Sequence, residues 1–197
     1  MKKVKFLGTL ITAVALAFAF TTAKIDYTVD KQQSKVSWLG KKVTGEHKGG
    51  ISIASGKLTS DGKTVTGGSF DIDMTSITCT DLTDKTYNEK LIGHLKSDDF
   101  FSTEKFTKST FVITSVTPTG NDQYKVVGNL TIKGITNPME FPATIKTTAT
   151  DVKANATIKV DRTKYGIKYG SGSFFDNLGD KAIDNEFTLT VDLVAKK

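Results

Sequence analysis

The chain has 197 residues, of which 38% are hydrophobic and 24% are charged, a composition typical of one globular domain. It excludes a bundle of membrane-spanning helices and a disordered chain. The net charge is +6. Three of the 27 basic residues lie before residue 24, which leaves 24 basic against 21 acidic residues and a charge of +3. Because basic and acidic residues are interspersed, we expect no nucleic-acid partner.

The N-terminal segment predicts a secretory signal peptide over residues 1–23. An apolar run from Leu7 to Phe20 follows three lysines, and it is shorter than the roughly 20 residues that a spanning helix needs. The small residues that follow the run predict cleavage after Ala23. We therefore expect residues 24–197 to form a periplasmic or otherwise exported domain without a stable membrane span. No cysteine follows the run directly, which argues against a lipoprotein anchor.

Apolar and polar residues alternate over much of the chain, a pattern typical of β-strands with one buried face. The apolar rows are Val36 and Trp38; Ile51 and Ile53; Phe70, Ile72 and Met74; Phe111 and Ile113; Tyr124, Val126, Gly128, Leu130 and Ile132; Met139, Phe141, Ala143 and Ile145; Ala154, Ala156, Ile158 and Val160; Phe187, Leu189, Val191 and Leu193. Turns are predicted between rows at residues 60–62, 119–122 and 136–138.

One stretch has helical periodicity instead. Between Asp84 and Lys96 the apolar residues are Tyr87, Leu91, Ile92 and Leu95. This spacing predicts a single short helix, with Asp81 or Thr83 as its N-cap. Its length suggests a lid or plug on a domain that is otherwise built from strands.

Many amphipathic strands with so little helix predict an all-β fold, either a closed barrel or a sandwich of two sheets. Roughly eight strands of about ten residues, with connections of about five, would use most of residues 24–197. An eight-stranded antiparallel barrel has room for side chains or one slim ligand. We expect the barrel, and the sandwich is the structural alternative.

Patterns for catalysis or metal binding are sparse. The only histidines, His47 and His94, lie far apart and have no spacing typical of a zinc site. The acidic pairs at 71 and 73 and at 98 and 99 are expected on a solvent-facing strand and in a turn. The lone Cys79 cannot form an intramolecular disulfide, and the sequence leaves its role open. We therefore expect no catalytic residues, no metal and no cofactor.

Aromatic residues cluster after the predicted helix and before the last strand. They are Phe100, Phe101 and Phe106, and then Tyr165, Tyr169, Phe174 and Phe175. Such rings commonly complete the ends of a core. They would equally suit the mouth of an apolar pocket, and the sequence leaves both interpretations open.

Six segments, in order along the chain, resemble those of a known family. They are residues 27–30, 94–101, 105–111, 128–138, 162–167 and 184–187. The most specific is Gly128-Asn-Leu-Thr-Ile-Lys-Gly-Ile-Thr-Asn-Pro138, which is similar to the pattern Gly-x-Leu-Thr-x-x-Gly-x-Thr-x-Pro. On these segments the sequence resembles the YceI-like, polyisoprenoid-binding proteins.

The resemblance implies an extended, lipocalin-like, eight-stranded antiparallel β-barrel that binds, stores or transports a long isoprenoid, such as an isoprenoid quinone or a polyprenyl phosphate. Residues 40–50 and 170–175 differ from the corresponding segments of the family's better-known members. The resemblance therefore does not specify the head-group end of the pore or the exact ligand. The residues expected to bind the ligand along the pore and at its mouth are Phe70, Ile72, Met74, Leu91, His94, Leu95, Phe100, Phe101, Phe111, Ile113, Val126, Leu130, Phe141, Ile158, Phe174, Phe175 and Leu189.

Two other functions stay open from the residues alone. One is a secreted enzyme that acts on a lipid or a small apolar substrate, and the other is a ligand-free domain that binds protein. A homodimer is also left open. An isoprenoid needs no sequence motif, because it is bound through apolar area worth about 25 cal/mol per Å² and few directional bonds.

Overall fold

The computed structural model describes residues 24–197, so the predicted signal peptide lies outside the described residues. The strands are β1 (Ile25–Val29), β2 (Lys35–Lys42), β3 (Gly45–Ser60), β4 (Val65–Asp73), β5 (Lys108–Gly120), β6 (Gln123–Ile132), β7 (Ile135–Thr147), β8 (Asp151–Asp161) and β9 (Ile183–Lys196). The helix α1 (Lys85–Lys96) lies between β4 and β5. Three short 3-10 turns span Met74–Ser76, Arg162–Tyr165 and Gly179–Lys181.

The strands form one antiparallel sheet that closes on itself. Its order runs from β3 through β2, β9, β8, β7, β6, β5 and β4, and β4 pairs again with β3. The strand β1 lies between β3 and β9, as β2 does, but at the opposite end of the barrel. It pairs there with Lys57–Ser60 of β3 and with Ala195 of β9. The nine strands of residues 24–197 therefore make an eight-position barrel. The predicted barrel is confirmed, and the sandwich alternative is wrong.

The end of the barrel that carries β1 is closed by apolar packing. Tyr27, Val65, Val152 and Ala195 are all at most 1% exposed there. The hydroxyl of Tyr27 donates a hydrogen bond to the main-chain oxygen of Thr148 at 3.0 Å, so its polar tip points away from the barrel axis towards a loop. We call this the closed end.

The opposite end is covered by the segment between β4 and β5, residues 74–107, which includes α1; we call it the lid end. The predicted helix is confirmed, but both predicted N-caps are wrong. Asp84 caps α1, because its carboxylate accepts hydrogen bonds from the main-chain N–H groups of Thr86 and Tyr87. Tyr87 is also not part of the helix's inner face, since it is 65% exposed.

The predicted turn at residues 136–138 is wrong, because these residues belong to β7. The turn lies at Lys133 and Gly134, which both have positive φ, 51° and 74°, between the paired residues Ile132 and Ile135. Two such residues are typical of the tight hairpin turn whose twist matches that of the strands. Pro138 lies within β7, because a proline is tolerated in a strand that has one unpaired edge.

One seam of the barrel is only partly paired. The ladder between β7 and β8 joins Ala143–Thr147 to Val152–Ala156. Within the described residues no ladder joins the lid-end halves of these two strands. Beyond the seam, the side-chain amide of Asn137 donates to the main-chain oxygen of Lys164 at 3.0 Å. The wall is therefore least tightly closed between β7 and β8 at the lid end.

Candidate functional site

The barrel interior contains a cavity of about 310 Å³. Its wall includes Val126 and Ile132 of β6 and Met139 and Ile145 of β7. Each pair lies six residues apart on its strand, which corresponds to about 20 Å along the wall. The cavity is therefore long and narrow, a shape that suits an extended chain better than a compact molecule.

Most of the predicted pore residues lie on this wall. They are Phe70, Ile72, Met74, Leu91, Leu95, Phe100, Phe101, Phe111, Ile113, Val126, Leu130, Phe141, Ile158 and Leu189. The alternation placed the strand residues correctly on the inner face, because every second side chain of a strand points the same way. Met74 lies in a 3-10 turn just after β4 rather than in the strand itself.

Three predicted residues do not line the cavity. Phe174 and Phe175 are 46% and 49% exposed, and the ammonium of Lys168 lies 4.7 Å from the ring centre of Phe174. They belong to the loop between β8 and β9, whose turns at Ser171 direct both rings outward. His94 faces an outer groove that it shares with His47 and Tyr87. Phe174, Phe175 and His94 therefore lie outside the cavity wall.

His94 is held by its neighbours at the lid end. Its ring packs edge-on against Phe100 and Tyr169, with centroid distances of 4.9 and 4.6 Å. Its Nε2 lies 3.1 Å from the carboxylate of Asp99, and its main-chain oxygen accepts a hydrogen bond from the N–H of Ser97. These contacts join the end of α1 to the loop between β8 and β9.

The lid closes the cavity with apolar side chains from two adjacent stretches. Leu91 and Leu95 come from α1, and Phe100 and Phe101 follow it. The ring of Phe101 packs edge-on against Phe187 of β9 at 6.2 Å. Such edge-to-face pairs are favourable beyond their buried area, so the lid is attached to the barrel by ring packing.

Arg162 is a buried cation at the lid end that sequence reasoning missed. It is 4% exposed and lines the cavity. Its Nε, Nη1 and Nη2 donate to the main-chain oxygens of Asp184, Ile167 and Ile183 at 2.9, 2.9 and 3.1 Å, and its guanidinium lies 5.9 Å from the ring centre of Phe100. Burial lowers the pKa of Arg162 from its ordinary value, against the opposing effect of Asp161 and Asp184.

Ser109 is a second buried polar residue on the cavity wall that was missed. It is 5% exposed, and its hydroxyl has no hydrogen-bond partner within the described residues. The sequence contained a usable pattern for both residues. Ser109 precedes Phe111 by two positions and Arg162 follows Val160 by two, so period-two alternation carried one step further would have placed both on the inner face.

Gly128 allows an aromatic ring to pack directly on the wall. A Cβ built there would lie 2.4 Å from the ring of Phe111 and 2.6 Å from the main-chain oxygen of Val112. The ring of Phe111 therefore packs directly on the backbone of β6, and it also contacts the ring of Phe141 at a centroid distance of 5.6 Å. A larger residue at this position would displace the aromatic pair.

A polar cluster lies at the lid-end edge of the cavity, beside the hairpin of β2 and β3, and one of its members, His47, is part of the cavity wall. The carboxylate of Asp81 is 2.8 Å from His47 Nδ1, 2.8 Å from the N–H of Lys48 and 3.3 Å from Cys79 Sγ. Burial alone would raise the pKa of Asp81, but these three hydrogen bonds outweigh it and lower the pKa to about 2. Because Asp81 lies between the thiol and the imidazole, His47 is not placed to deprotonate Cys79.

The described residues contain no group of three or more His, Cys, Asp or Glu side chains suited to a metal ion. They also contain no helix of the length and apolar character that crossing a membrane requires.

The sequence matches the family model of the YceI-like domain over residues 27–195. The chain belongs to the YceI-like family. A relative from Shewanella sp. (strain MR-7), a UPF0312 protein, is 31% identical over 149 residues, which is 73% of each chain. A UPF0312 protein of Staphylococcus aureus (strain USA300) is 43% identical over 91 residues, 43% of this chain and 50% of that protein. The match thus spans only half the length of this staphylococcal relative.

Solved structures are similar to this YceI-like chain over most of its length. BcnA of Burkholderia cenocepacia shares 26% identity with a TM-score of 0.66, covering 85% of this chain and 99% of that one. A polyisoprenoid binding domain from Saccharophagus degradans has a TM-score of 0.65 at 15% identity, covering 86% and 97%. At that identity the second likeness concerns the fold alone.

Proposed function

We propose that this YceI-like protein binds a long-chain isoprenoid lipid inside the barrel, of the isoprenoid quinone or polyprenyl phosphate type, and stores or transports it after export. The long cavity is the observation that carries the proposal. Its wall is formed mainly by aliphatic and aromatic side chains, and each 100 Å² of apolar ligand surface removed from water contributes about 2.5 kcal/mol. The polyisoprenoid-binding relative of the same fold supports the same ligand class.

Binding accounts for the site better than catalysis does. His94 lies outside the cavity wall and is engaged with Asp99. His47 lies at the lid-end edge of the wall and is engaged with Asp81. A hydrolytic or transfer reaction would need a nucleophile with a base in reach. The buried hydroxyl of Ser109 on the wall has no hydrogen-bond partner among the described residues, so no base is placed to activate it as a nucleophile.

The ligand can be identified by organic extraction of protein purified from its own host, followed by mass spectrometry. A co-purified polyprenyl species is expected. Binding itself can be measured with delipidated protein, because the only tryptophan, Trp38, lines the cavity and its Nε1 donates to the main-chain oxygen of Thr78 at 3.0 Å. Titration with geranylgeraniol should change its fluorescence saturably.

Two results would oppose the proposal. Absence of any extracted lipid together with no saturable titration by prenyl alcohols would favour a ligand-free interaction domain. Chemical turnover of the added prenyl compound would favour the enzyme instead. Intact mass of the exported protein tests cleavage after Ala23 separately, since it distinguishes a chain that begins at Lys24 from one that retains its first 23 residues.

A further inference from the structure

The polar residues of the cavity wall are confined almost entirely to one end. They are Lys41, Lys42, His47, Ser109, Arg162, Asp184 and Glu186. All belong to strand ends or turns that meet at the lid end. The exception is Asn155 in the middle of β8, which is exposed and whose side-chain amide donates to the carboxylate of Asp192 outside the barrel.

The closed end of the same cavity offers only apolar groups. Its wall there is formed by Leu58, Val65, Ile145 and Leu193, each at most 6% exposed. A ligand oxygen placed among these residues would lose its hydrogen bonds to water and gain none, which costs on the order of 1–3 kcal/mol. An apolar chain end fits there without such a cost.

Ser109 gives the cavity wall at the lid end a buried hydrogen-bonding side chain that the described wall residues of the closed end lack. It lies on β5 opposite Ile72 of β4, near the start of β5, and its hydroxyl is buried without a partner. An unpartnered buried hydroxyl is destabilising, so its presence calls for a partner that the described residues do not supply. An oxygen of a ligand head group would be such a partner.

Arg162 adds donors to the same end. Its three hydrogen bonds all go to neutral main-chain oxygens, whereas a guanidinium has five N–H groups. Two N–H groups therefore stay without a partner among the described residues, on a side chain that lines the cavity. Donors of this kind favour carbonyl, hydroxyl or phosphate oxygens.

We propose that the cavity binds its ligand in one orientation, with the chain end at the closed end and an oxygen-bearing head group at the lid end, where the hydroxyl of Ser109 hydrogen-bonds it. The inference rests on the proposed isoprenoid binding and specifies the ligand class further. The ligand is then a prenyl compound whose head group carries an oxygen. Ser109 distinguishes such compounds from plain hydrocarbons.

The test compares Ser109→Ala with Ser115→Ala, a control on the solvent-facing part of the same strand. The probes are geranylgeraniol, its phosphate and the hydrocarbon that lacks only the hydroxyl, titrated by Trp38 fluorescence. Ser109→Ala should weaken binding of the alcohol and the phosphate about threefold to tenfold, the effect of one hydrogen bond. It should leave hydrocarbon binding unchanged, and Ser115→Ala should change none of the three.

The melting temperature of the ligand-free variant separates a ligand contact from a structural role. Removal of a hydroxyl without a partner should leave the melting temperature unchanged or raise it. A lowered melting temperature with equal loss for all three probes would overturn the inference. If the parent protein binds hydrocarbon and alcohol equally well, the inference fails although the proposed function stands. If it binds neither, the proposed function itself fails.

Orientation can be read independently with a geranylgeranyl probe that carries a diazirine on its head. After illumination and digestion, mass spectrometry should find the label in peptides from residues 74–109 or 162–187. Label concentrated in residues 25–29 or 58–65, at the closed end, would show the reverse orientation. Excess geranylgeraniol should suppress the specific label, which controls for adventitious reaction with the exposed rings.

Discussion

The neighbours Leu130 and Thr131 on β6 allow the sharpest test of the cavity. Leu130 is 8% exposed and lines it, whereas the hydroxyl of Thr131 faces out and is 2.8 Å from the hydroxyl of Thr136. We expect Leu130→Lys to abolish measurable binding of geranylgeraniol. Thr131→Lys should leave binding unchanged and cost at most about 1 kcal/mol of stability, the range of strand propensities.

The magnitude follows from the fate of the new ammonium group. Bound ligand displaces the water around it, so the lysine must give up its proton, leave the cavity or stay charged in an apolar site. Deprotonation at pH 7 of a group with a pKa of about 10.4 costs about 5 kcal/mol, which is the upper bound. A penalty of even about 3 kcal/mol weakens binding more than a hundredfold.

Folding must be separated from binding, because a packed core would also reject a lysine. Leu130→Ala serves this purpose. It removes apolar contacts at a site that already borders a cavity, so we expect a loss near the lower end of the usual range, about 2 kcal/mol. Binding should weaken about tenfold or less while thermal unfolding stays cooperative. If folded Leu130→Lys and Leu130→Ala bind as tightly as the parent, the ligand does not lie along β6 and the reasoning is refuted.

Three further predictions concern the frame around the site. Asp84→Ala should destabilise the protein by about 1 kcal/mol through loss of the α1 cap, whereas Thr83→Ala should not; equal effects in chemical denaturation would contradict this. The pKa of Asp81 is lowered to about 2 from 3.8, so its contribution to stability, about 2 kcal/mol at most, is complete above about pH 4 and is lost as pH falls towards 2. Asp81→Asn should remove that part of the acid dependence, and an acid-unfolding curve identical to the parent's would refute it. Hydrogen exchange should be faster at β8-facing amides of residues 136–141 than at residues 143–147, because only the latter are paired with β8; uniform protection along β7 would show the seam to be closed.

The strands and the inner wall were predictable because both follow from one local rule. A strand with one buried face must alternate, and Leu130, Phe141 and Leu189 lie on the wall for that reason. Closure of the barrel was the expected way to bury so many amphipathic strands. The alternation could not show that β1 and β2 occupy the two ends of a single place in the strand order. That arrangement depends on their pairing with two distant parts of β3.

The connections were predicted less well because their structure depends on contacts between distant segments. The sequence allows Phe174 to cap the core or to line a pore mouth, but the turn at Ser171 directs its ring to solvent. The turn at Lys133 was missed because only Gly134 is a common left-handed residue, and a lysine with φ of 51° is uncommon. The Asn-Pro pair nearby is a stronger turn pattern by composition, yet it continues into β7.

Ser109 and Arg162 both break the apolar row at the lid end, but for different physical reasons. Arg162 is accounted for in part by the fold itself, because its bonds to the main-chain oxygens of Asp184, Ile167 and Ile183 hold the loop between β8 and β9 against the barrel. Replacing it would therefore disturb structure and site together. Ser109 makes no such bond, so alanine there removes a hydroxyl and nothing that the fold uses. An effect of Ser109→Ala that depends on the probe's head group therefore reports a lost contact with the ligand. Ser109 is more informative to change than Arg162, because the fold does not use its hydroxyl.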